Sequence, residues 1–459
     1  MIKFNPNYKP TRVIGNKLLE RYQKQPFVIL TSNKGSGKTF VACYTAAKLQ
    51  RNIHLVVVCP NGKLKDHSWV NTVNAYNDAT NSHIDIDCYS YDSIHGKNAR
   101  WIYAKLNSCK TAGIINMVIF DEMQLIKNPT SQRGSSCIAL AKSNLVSYIL
   151  GLSATPVPNS YLDTETYLII AGFYRNKTHF EQEQVKAFNE YHQPIIKNKQ
   201  KQYDRNLFTD PDKLDTFMES LCVTADTSNL LPPVIKTDLN YHIDDTHPYV
   251  ENVFDRTIED FSDQTPRTRY GHMRQAAKYH RNGVFDSVST LDNILYQLAA
   301  FDPQRLQLTI DVIKHHWQHD PKPIIIFYTR VLEYQGLCLH LKKVFPDAVI
   351  NQINGQQKDL EPVSGKHIIL VQYRAGGTGI ELPYAPVTIF YMPTWSNQDF
   401  DQAQGRNVRP NMKDYVYHYF IHSDREYDQQ CIWPALDQKI KFNINMILKF
   451  EDALLSEKN

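Results

Sequence analysis

Residues 27–49 read FVILTSNKGSGKTFVACYTAAKL, and the order of features in this stretch decides the fold. Residues 27–30 form a short apolar run, which is typical of a buried parallel strand. Residues 40–49 follow with the pattern of an amphipathic helix. Between them, Gly35 and Gly37 allow backbone N–H groups to turn toward an anion at the helix N-terminus, where the helix dipole favours negative charge. The stretch therefore predicts a phosphate-binding loop in an α/β domain.

The side chains after the glycines fit the same interpretation. Lys38 would reach the β- and γ-phosphates of a nucleotide, and Thr39 would place its hydroxyl on Mg²⁺. Ser32 stands where the general pattern has glycine, which favours a helicase-type loop over the GTPase and kinase versions. The alternative is a glycine turn before a helix. The predicted nucleotide contacts are Gly35, Ser36, Gly37, Lys38, Thr39 and Phe40.

Composition limits the remaining choices. The 459 residues leave room for two or three domains, and the net charge of only +4 means that any nucleic-acid surface must be local. Eight cysteines without a C-x-x-C pair indicate reduced thiols in a cytoplasmic protein, without a disulfide framework or a structural metal. The apolar runs are too short to span a membrane.

Two further strand-like runs in the first third end in polar groups. MVIFDEMQLIKNP (117–129) places Asp121 and Glu122 directly after a strand, where Asp121 would hold Mg²⁺ and Glu122 would polarise the attacking water. The alternative is that both acids cap the next helix. YILGLSATPVPN (148–159) ends in Ser153, Ala154 and Thr155, which would couple hydrolysis to movement or simply form a turn or cap.

The rest of the chain divides into two parts. Residues 174–300 are polar and are predicted to be mainly helical, with basic clusters at 197–205 and 266–281 that either hold phosphates or form a solvated surface. Apolar runs then return and predict a second α/β lobe. In its segment QAQGRNVR (402–409), Arg406 and Arg409 would share one face of a helix. The predicted domains are 1–173, 174–300 and 301–459.

The ordered motifs GSGKT, DEMQ, SAT and QAQGRNVR resemble those of superfamily 2 helicases. The segments DEMQLIKNP, LSATPVPN, RAGGTGIEL and WSNQDFDQA are similar to motifs of the Swi/Snf-type branch, over residues of about 10–170 and 300–435. At this length the chain resembles the compact bacterial or bacteriophage members of that branch, which implies a location in a bacterial or phage-infected cytoplasm. The resemblance implies an α/β fold of two RecA-like P-loop lobes, with parallel sheets flanked by helices and a helical insertion between them.

The resemblance also implies a function and a set of site residues. The function is that of an ATP-dependent DNA motor, with ATP and Mg²⁺ as cofactors bound between the lobes. Gln402 and Gly377 would contact the nucleotide, and Arg374 and Thr378 would contact DNA. The implied catalytic residues are Lys38, Asp121, Glu122, Gln124, Arg406 and Arg409. The other implied DNA contacts are Pro60, Asn61, Lys63, Tyr91, Thr329 and Arg330.

Several alternatives stay open at this point. The DNA partner is duplex, forked or single-stranded, and a recruiting protein is a further expected partner. An RNA helicase is one competing function. A nucleotide-gated DNA-binding or loading factor with little turnover is another. The motifs do not decide between strand separation and duplex translocation.

Overall fold

The computed structural model describes most of the chain, in two units whose boundary lies between Leu231 and Pro232. The described residues are 9–32, 36–157, 160–186, 205–225, 231–241, 303–354, 363–373, 382–394, 396–408 and 415–423, together with Trp433 and Leu436. The predicted sites at Gly35, Arg374, Gly377, Thr378 and Arg409 lie outside them.

The first unit is built on a six-stranded parallel sheet in the order β3-β2-β4-β5-β1-β6. Its strands are β1 (Phe27–Ser32), β2 (Asn52–Cys59), β3 (His83–Ser90), β4 (Ile115–Asp121), β5 (Tyr148–Ser153) and β6 (Cys222–Ala225). Strand β5 lies between β1 and β4 and pairs with both. Because all strands are parallel, the carboxyl ends of β1, β4 and β5 meet at the same edge of the sheet.

Helices cover this sheet, and its two faces are both buried. The helices are α1 (Lys9–Tyr22), α2 (Lys38–Leu49), α3 (Asn61–Lys65), α4 (Ser68–Thr80), α5 (Lys97–Thr111), α6 (Gln132–Ala141), α7 (Glu165–Ile170), α8 (Lys177–Gln184) and α9 (Pro211–Leu221). Phe27 and Ile29 pack into one core cluster, whereas Val28 and Leu30 pack into the other. Successive side chains of a strand point to opposite faces, so burial on both faces explains the continuous apolar run of β1.

The second unit repeats the architecture with a parallel sheet in the order β7-β12-β11-β8-β10-β9. Its strands are β7 (Val234–Tyr241), β8 (Ile324–Tyr328), β9 (Val349–Ile353), β10 (His367–Gln372), β11 (Val387–Phe390) and β12 (Val416–Ser423). Its described helices are α10 (Pro303–His316), α11 (Val331–Val344) and α12 (Asn397–Gln404). Two helix-flanked parallel sheets confirm the predicted fold class of two RecA-like lobes.

A fully buried arginine ties helix α10 to this second sheet. Arg305 donates from Nε to the hydroxyl of Tyr241 on β7 at 3.1 Å and from Nη1 to the backbone carbonyl of Tyr391. Its guanidinium also lies over the rings of both tyrosines. These contacts satisfy a charge that would otherwise be costly to bury.

The middle of the chain differs from the sequence-based expectation where the structure describes it. Residues 174–300 were expected to be mainly helical, yet β6 pairs with β1 and β7 pairs with β12. The first unit thus extends past the predicted boundary at residue 173 and continues to Leu231. A four-residue strand is too short to show a period in the sequence. The basic cluster at 266–281 lies outside the described residues.

Of the first basic cluster, 197–205, only Arg205 is described, and it is bound internally. Its guanidinium contacts Asp215 at 2.8 Å, Asp212 at 2.6 Å and the hydroxyl of Tyr161. Arg205 thus anchors α9 to the segment at Tyr161 and does not present a free charge to phosphates. Among the helices that the structure describes, none is both long and apolar enough to cross a membrane.

Candidate nucleotide-binding site

The phosphate loop connects the end of β1 with the start of α2. Gly37 is the residue before the helix and has φ 79° and ψ 27°, a left-handed conformation that glycine adopts without strain. The Nζ of Lys38 donates to the backbone carbonyl of Ser32 at 2.8 Å, and the hydroxyls of Ser32 and Ser36 are 2.8 Å apart. Thr39 and Phe40 follow in the first turn of α2, and the N-terminal end of a helix favours an anion.

The two acids lie at the end of β4. Asp121 is the last residue of the strand and is 2% exposed. Glu122 follows in a left-handed conformation with φ 57° and ψ 53°, which is uncommon for a residue other than glycine. The backbone carbonyl of Asp121 accepts a hydrogen bond from the hydroxyl of Tyr91 at 2.8 Å. Glu122 thus forms a sharp turn between the end of β4 and the 3₁₀ helix Met123–Ile126.

The carboxylate of Asp121 is held by two donors from neighbouring helices. The Nζ of Lys63 in α3 lies 2.6 Å from Oδ2, and Nε1 of Trp69 in α4 donates to the same oxygen at 2.8 Å. Burial lowers the pKa of Lys63, but the charges of Asp121 and Glu122 and the hydrogen bond to Asp121 raise it by more, so the net pKa is raised. Lys63 is therefore a charged ammonium at neutral pH.

A chain of hydrogen bonds joins the acids to the end of β5. The amide nitrogen of Gln124 donates to Oε2 of Glu122 at 2.8 Å, and the hydroxyl of Ser153 donates to the amide oxygen of Gln124 at 2.6 Å. The same hydroxyl accepts from the backbone N–H of Thr155 at 3.0 Å. With Ala154 between Ser153 and Thr155, the acidic motif and the SAT motif form one connected network.

The chemistry of this edge fits a magnesium ion. A carboxylate at Asp121 and a hydroxyl at Thr39 are the hard oxygen ligands that Mg²⁺ prefers. The ammonium of Lys63, 2.6 Å from Oδ2, shows that this carboxylate already attracts a positive charge. Asp121 and Thr39 are the residues that would hold the ion.

In the second unit, Arg406 lies beyond a helix and not within it. Helix α12 ends at Gln404, with Gly405 as its cap. The prediction that Arg406 and Arg409 share a helix face is therefore wrong, because glycine favours helix termination at this point. Gln402 and Arg406 are both largely buried.

Asn407, which the sequence analysis did not single out, fixes the segment next to Arg406. Its Nδ2 donates to the carbonyl of Ala385 at 2.9 Å and to the hydroxyl of Thr388 at 3.0 Å, and its Oδ1 lies 3.1 Å from Nε2 of His418. Burial, with a smaller effect of the Lys236 charge, lowers the pKa of His418 to about 3. His418 is therefore neutral. A buried asparagine between two basic motif residues gave no sequence signal that distinguished it from a solvated one.

The segment at Thr329 and Arg330 links β8 to α11. The backbone N–H of Thr329 donates to Oε2 of Glu333 at 2.7 Å, and the amide of Gln372 donates to the Thr329 carbonyl at 3.2 Å. Arg330 is exposed. Burial raises the pKa of Glu333 to about 8, and the N–H groups of Thr329 and Arg330 act in the opposite direction.

The predicted DNA contacts of the first unit fall in different environments. Asn61 is exposed at the start of α3, whereas Pro60 is buried. Lys63 is partly exposed but is paired with Asp121. Tyr91 corrects the prediction: it is 3% exposed and packs in the core, where its hydroxyl is engaged by Asp121, so a DNA contact does not fit it. Its aromatic ring contributes to the core that positions the acidic strand.

The fold and this site define a two-lobed α/β protein with the features of a P-loop nucleotide-binding protein. Residues 304–411 match the family described as the helicase conserved C-terminal domain, which covers less than half of the chain. Among solved structures, the chain is similar to the SWI2/SNF2 ATPase core of Sulfolobus solfataricus in complex with dsDNA, at 16% identity and a TM-score of 0.37. That alignment covers 100% of this chain and 96% of the other. No curated protein matches the chain.

Proposed function

We propose that this protein is an ATP- and Mg²⁺-dependent motor on DNA. One observation carries the proposal: the phosphate loop after β1 and the acids after β4 lie at the same sheet edge, and hydrogen bonds join Glu122 to Ser153 at the end of β5. A site that only bound nucleotide would need the phosphate loop after β1 and the acids after β4, but not the hydrogen bonds from Glu122 through Gln124 to Ser153 of β5. The helicase C-terminal match of residues 304–411 supports a motor among the P-loop classes.

Each site residue of the first unit has a defined role in the proposed hydrolysis of ATP. Lys38 and the N–H groups at the start of α2 would bind the β- and γ-phosphates, and Thr39 and Asp121 would hold Mg²⁺. The ion would neutralise charge on the phosphates when bound. Glu122 accepts a hydrogen bond from the attacking water and orients it. Its carboxylate is itself positioned by Gln124.

The second unit would contribute positive charge and DNA contacts. Arg406, which is held in place through Asn407, and Arg409 would stabilise the transferred phosphate, as the motif resemblance implies. Arg330, Arg374 and Thr378 would contact the DNA backbone. The Swi/Snf-type motifs favour DNA over RNA as the polymer.

The proposal is tested by steady-state ATP hydrolysis with no polymer, single-stranded DNA, duplex DNA, forked DNA and RNA, at two salt concentrations. We expect stimulation by DNA that falls with salt, because phosphate contacts release counterions. Stimulation mainly by duplex would indicate translocation, whereas stimulation by forked or single-stranded DNA would indicate strand separation. A slow rate that no polymer changes would instead indicate a nucleotide-gated loading factor, and stimulation by RNA alone would indicate an RNA helicase.

Two substitutions make the test specific to this site. Lys38→Ala and Glu122→Gln should each abolish turnover and leave a folded protein, since Lys38 and Glu122 are partly exposed groups that act on nucleotide. Lys48→Ala is the matched control, because Lys48 is an exposed lysine in the last turn of the same helix. Normal hydrolysis by both site variants would refute the proposal.

A further inference from the structure

We propose that Lys63 is an internal competitor for the divalent cation at Asp121. In this inference, the cation binds Asp121 only when the ammonium of Lys63 leaves the carboxylate, so Lys63 sets the metal affinity of the site and links metal binding to the position of helix α3. The inference rests on the proposed function in taking Asp121 as a metal ligand.

The geometry of the carboxylate carries this inference. Lys63 and Trp69 both contact Oδ2 of Asp121, at 2.6 Å and 2.8 Å. A magnesium ion binds carboxylate oxygen at about 2.0–2.1 Å. An ammonium at 2.6 Å from Oδ2 would then be in close contact with that ion, and two positive charges in this largely buried setting repel each other strongly. The ammonium and the ion therefore compete for this carboxylate.

The two donors differ in their freedom to move. Trp69 is 1% exposed, packs in the core, and carries a neutral N–H, so it can remain on the carboxylate when a cation is bound. The side chain of Lys63 is 29% exposed and extends from a helix of only five residues. Its flexible stem can carry the ammonium into solvent. Lys63 is thus the group that is displaced, whereas Trp69 is a positioning residue for the carboxylate.

The direct test measures metal binding without turnover. Mn²⁺ is titrated into the full chain in the presence of saturating ADP, and free Mn²⁺ is counted by electron paramagnetic resonance. Lys63→Met keeps most of the side-chain stem and removes the charge, so it should bind Mn²⁺ about tenfold to a hundredfold more tightly, the range expected when a charge-assisted hydrogen bond no longer has to be broken. Lys65→Met removes the same charge from an exposed position in the same helix and should change the affinity less than about twofold.

Tryptophan fluorescence then reports where the ion binds. Bound Mn²⁺ is paramagnetic and should quench Trp69, so the quenching should be present in the unchanged protein and largely absent from Trp69→Phe. Asp121→Asn should weaken Mn²⁺ binding and remove the quenching. If Lys63→Met does not fold, judged by its thermal unfolding, Lys63→Gln provides the same loss of charge.

The outcomes separate this inference from the proposed function. If Mn²⁺ quenches Trp69 but Lys63→Met binds it no more tightly than Lys65→Met, the competition is refuted and the metal assignment stands. If Asp121→Asn binds Mn²⁺ as tightly as the unchanged protein, Asp121 is not a ligand, and both the inference and the metal part of the proposed function fail.

Discussion

The hydroxyl group of Ser153 has a hydrogen-bond partner on each side. It donates to the side-chain oxygen of Gln124 and accepts from the backbone of Thr155, and the serine is fully buried. Because Gln124 in turn donates to Glu122, a change at Ser153 reaches the carboxylate of Glu122 through one intervening side chain. In a buried network such as this, each lost partner leaves a polar group unsatisfied.

We predict that Ser153→Ala lowers the free energy of unfolding by about 1–3 kcal/mol, because it leaves the oxygen of Gln124 without its donor. It should also reduce polymer-stimulated ATP hydrolysis more than nucleotide affinity, since the phosphate loop is unchanged. Thermal unfolding, nucleotide titration and hydrolysis rates check this. Ser147→Ala, at an exposed position directly before the same strand, is the control. Equal effects of the two substitutions would contradict the coupling role of Ser153.

The buried carboxyl group of Glu333 makes the stability of the second unit depend on pH. Its pKa in the folded protein is about 8, above the value of about 4.3 expected in the unfolded chain. A raised pKa means that the folded state binds the proton more tightly. Its contribution to stability is therefore fully present below about pH 4 and is lost as the pH rises toward 8, at up to about 1.4 kcal/mol per pH unit. The charged groups that oppose this shift are Arg305 and Arg330.

We predict that Glu333→Gln removes this part of the pH dependence. The amide oxygen can still accept the N–H of Thr329, and no charge is buried at high pH, so the variant should gain stability over the unchanged protein as the pH rises from 5 to 8. Denaturant unfolding at several pH values measures the difference. Asp320→Asn, at an exposed acid of the same unit, should show no such trend. A difference that does not grow with pH would contradict the assigned burial effect.

At the scale of elements, the approach of helix α6 to the segment after the acidic motif depends on one glycine. A Cβ atom added at Gly134 would lie 2.0 Å from the backbone oxygen of Asn128, and a backbone atom can yield only if the segment itself moves. The hydroxyl of Ser131 caps the helix by accepting from the N–H of Gly134 at 3.0 Å. The short connection from DEMQ to α6 therefore requires a residue without a side chain.

We predict that Gly134→Ala costs about 1–3 kcal/mol of folding free energy, the usual range for overpacking, although alanine is otherwise the better helix residue. It should also lower ATP hydrolysis, because the displaced backbone at Asn128 lies only four residues after Gln124, the last residue of DEMQ. Ser135→Ala, at the next and exposed position of the helix, should be close to neutral. A stabilising effect of Gly134→Ala would show that the segment adapts without strain.

The elements with strong local patterns were predictable, and those defined by long-range contacts were not. The strand and helix around the phosphate loop, and the strands ending at Asp121 and Ser153, lie where their apolar runs predict. Helix α12 ends before Arg406 because Gly405 terminates it. The three-residue spacing of Arg406 and Arg409 suggested a continuous helix, so the effect of this glycine was not predicted. The pairing of Lys63 with Asp121 joins residues 58 positions apart, and no periodicity in the sequence indicates such a contact.

At the scale of the whole molecule, the extent of the first unit is the main departure from the sequence-based division. Strand β6 forms the edge of the first sheet next to β1, and the hydroxyls of Thr31 and Thr224 are 2.7 Å apart across that pair. The residues from α8 to α9 add apolar side chains to the same core cluster that contains Phe120. These are Phe180, Phe208, Leu214, Met218 and Leu221. A chain that stopped at residue 173 would expose the partners of these side chains and leave β1 as an open edge.

We therefore predict that a fragment of residues 1–231 unfolds cooperatively and stays monomeric, whereas a fragment of residues 1–173 aggregates or unfolds without a cooperative transition. Calorimetry and light scattering distinguish the two. A third fragment, residues 1–210, keeps α8 but lacks α9 and β6, and it should behave like the shorter fragment if the last strand and its helix complete the sheet. If residues 1–173 unfold cooperatively at the same temperature as residues 1–231, then residues 174–231 are not needed for the domain to fold. In that case, the domain boundary lies at residue 173, as the sequence predicts.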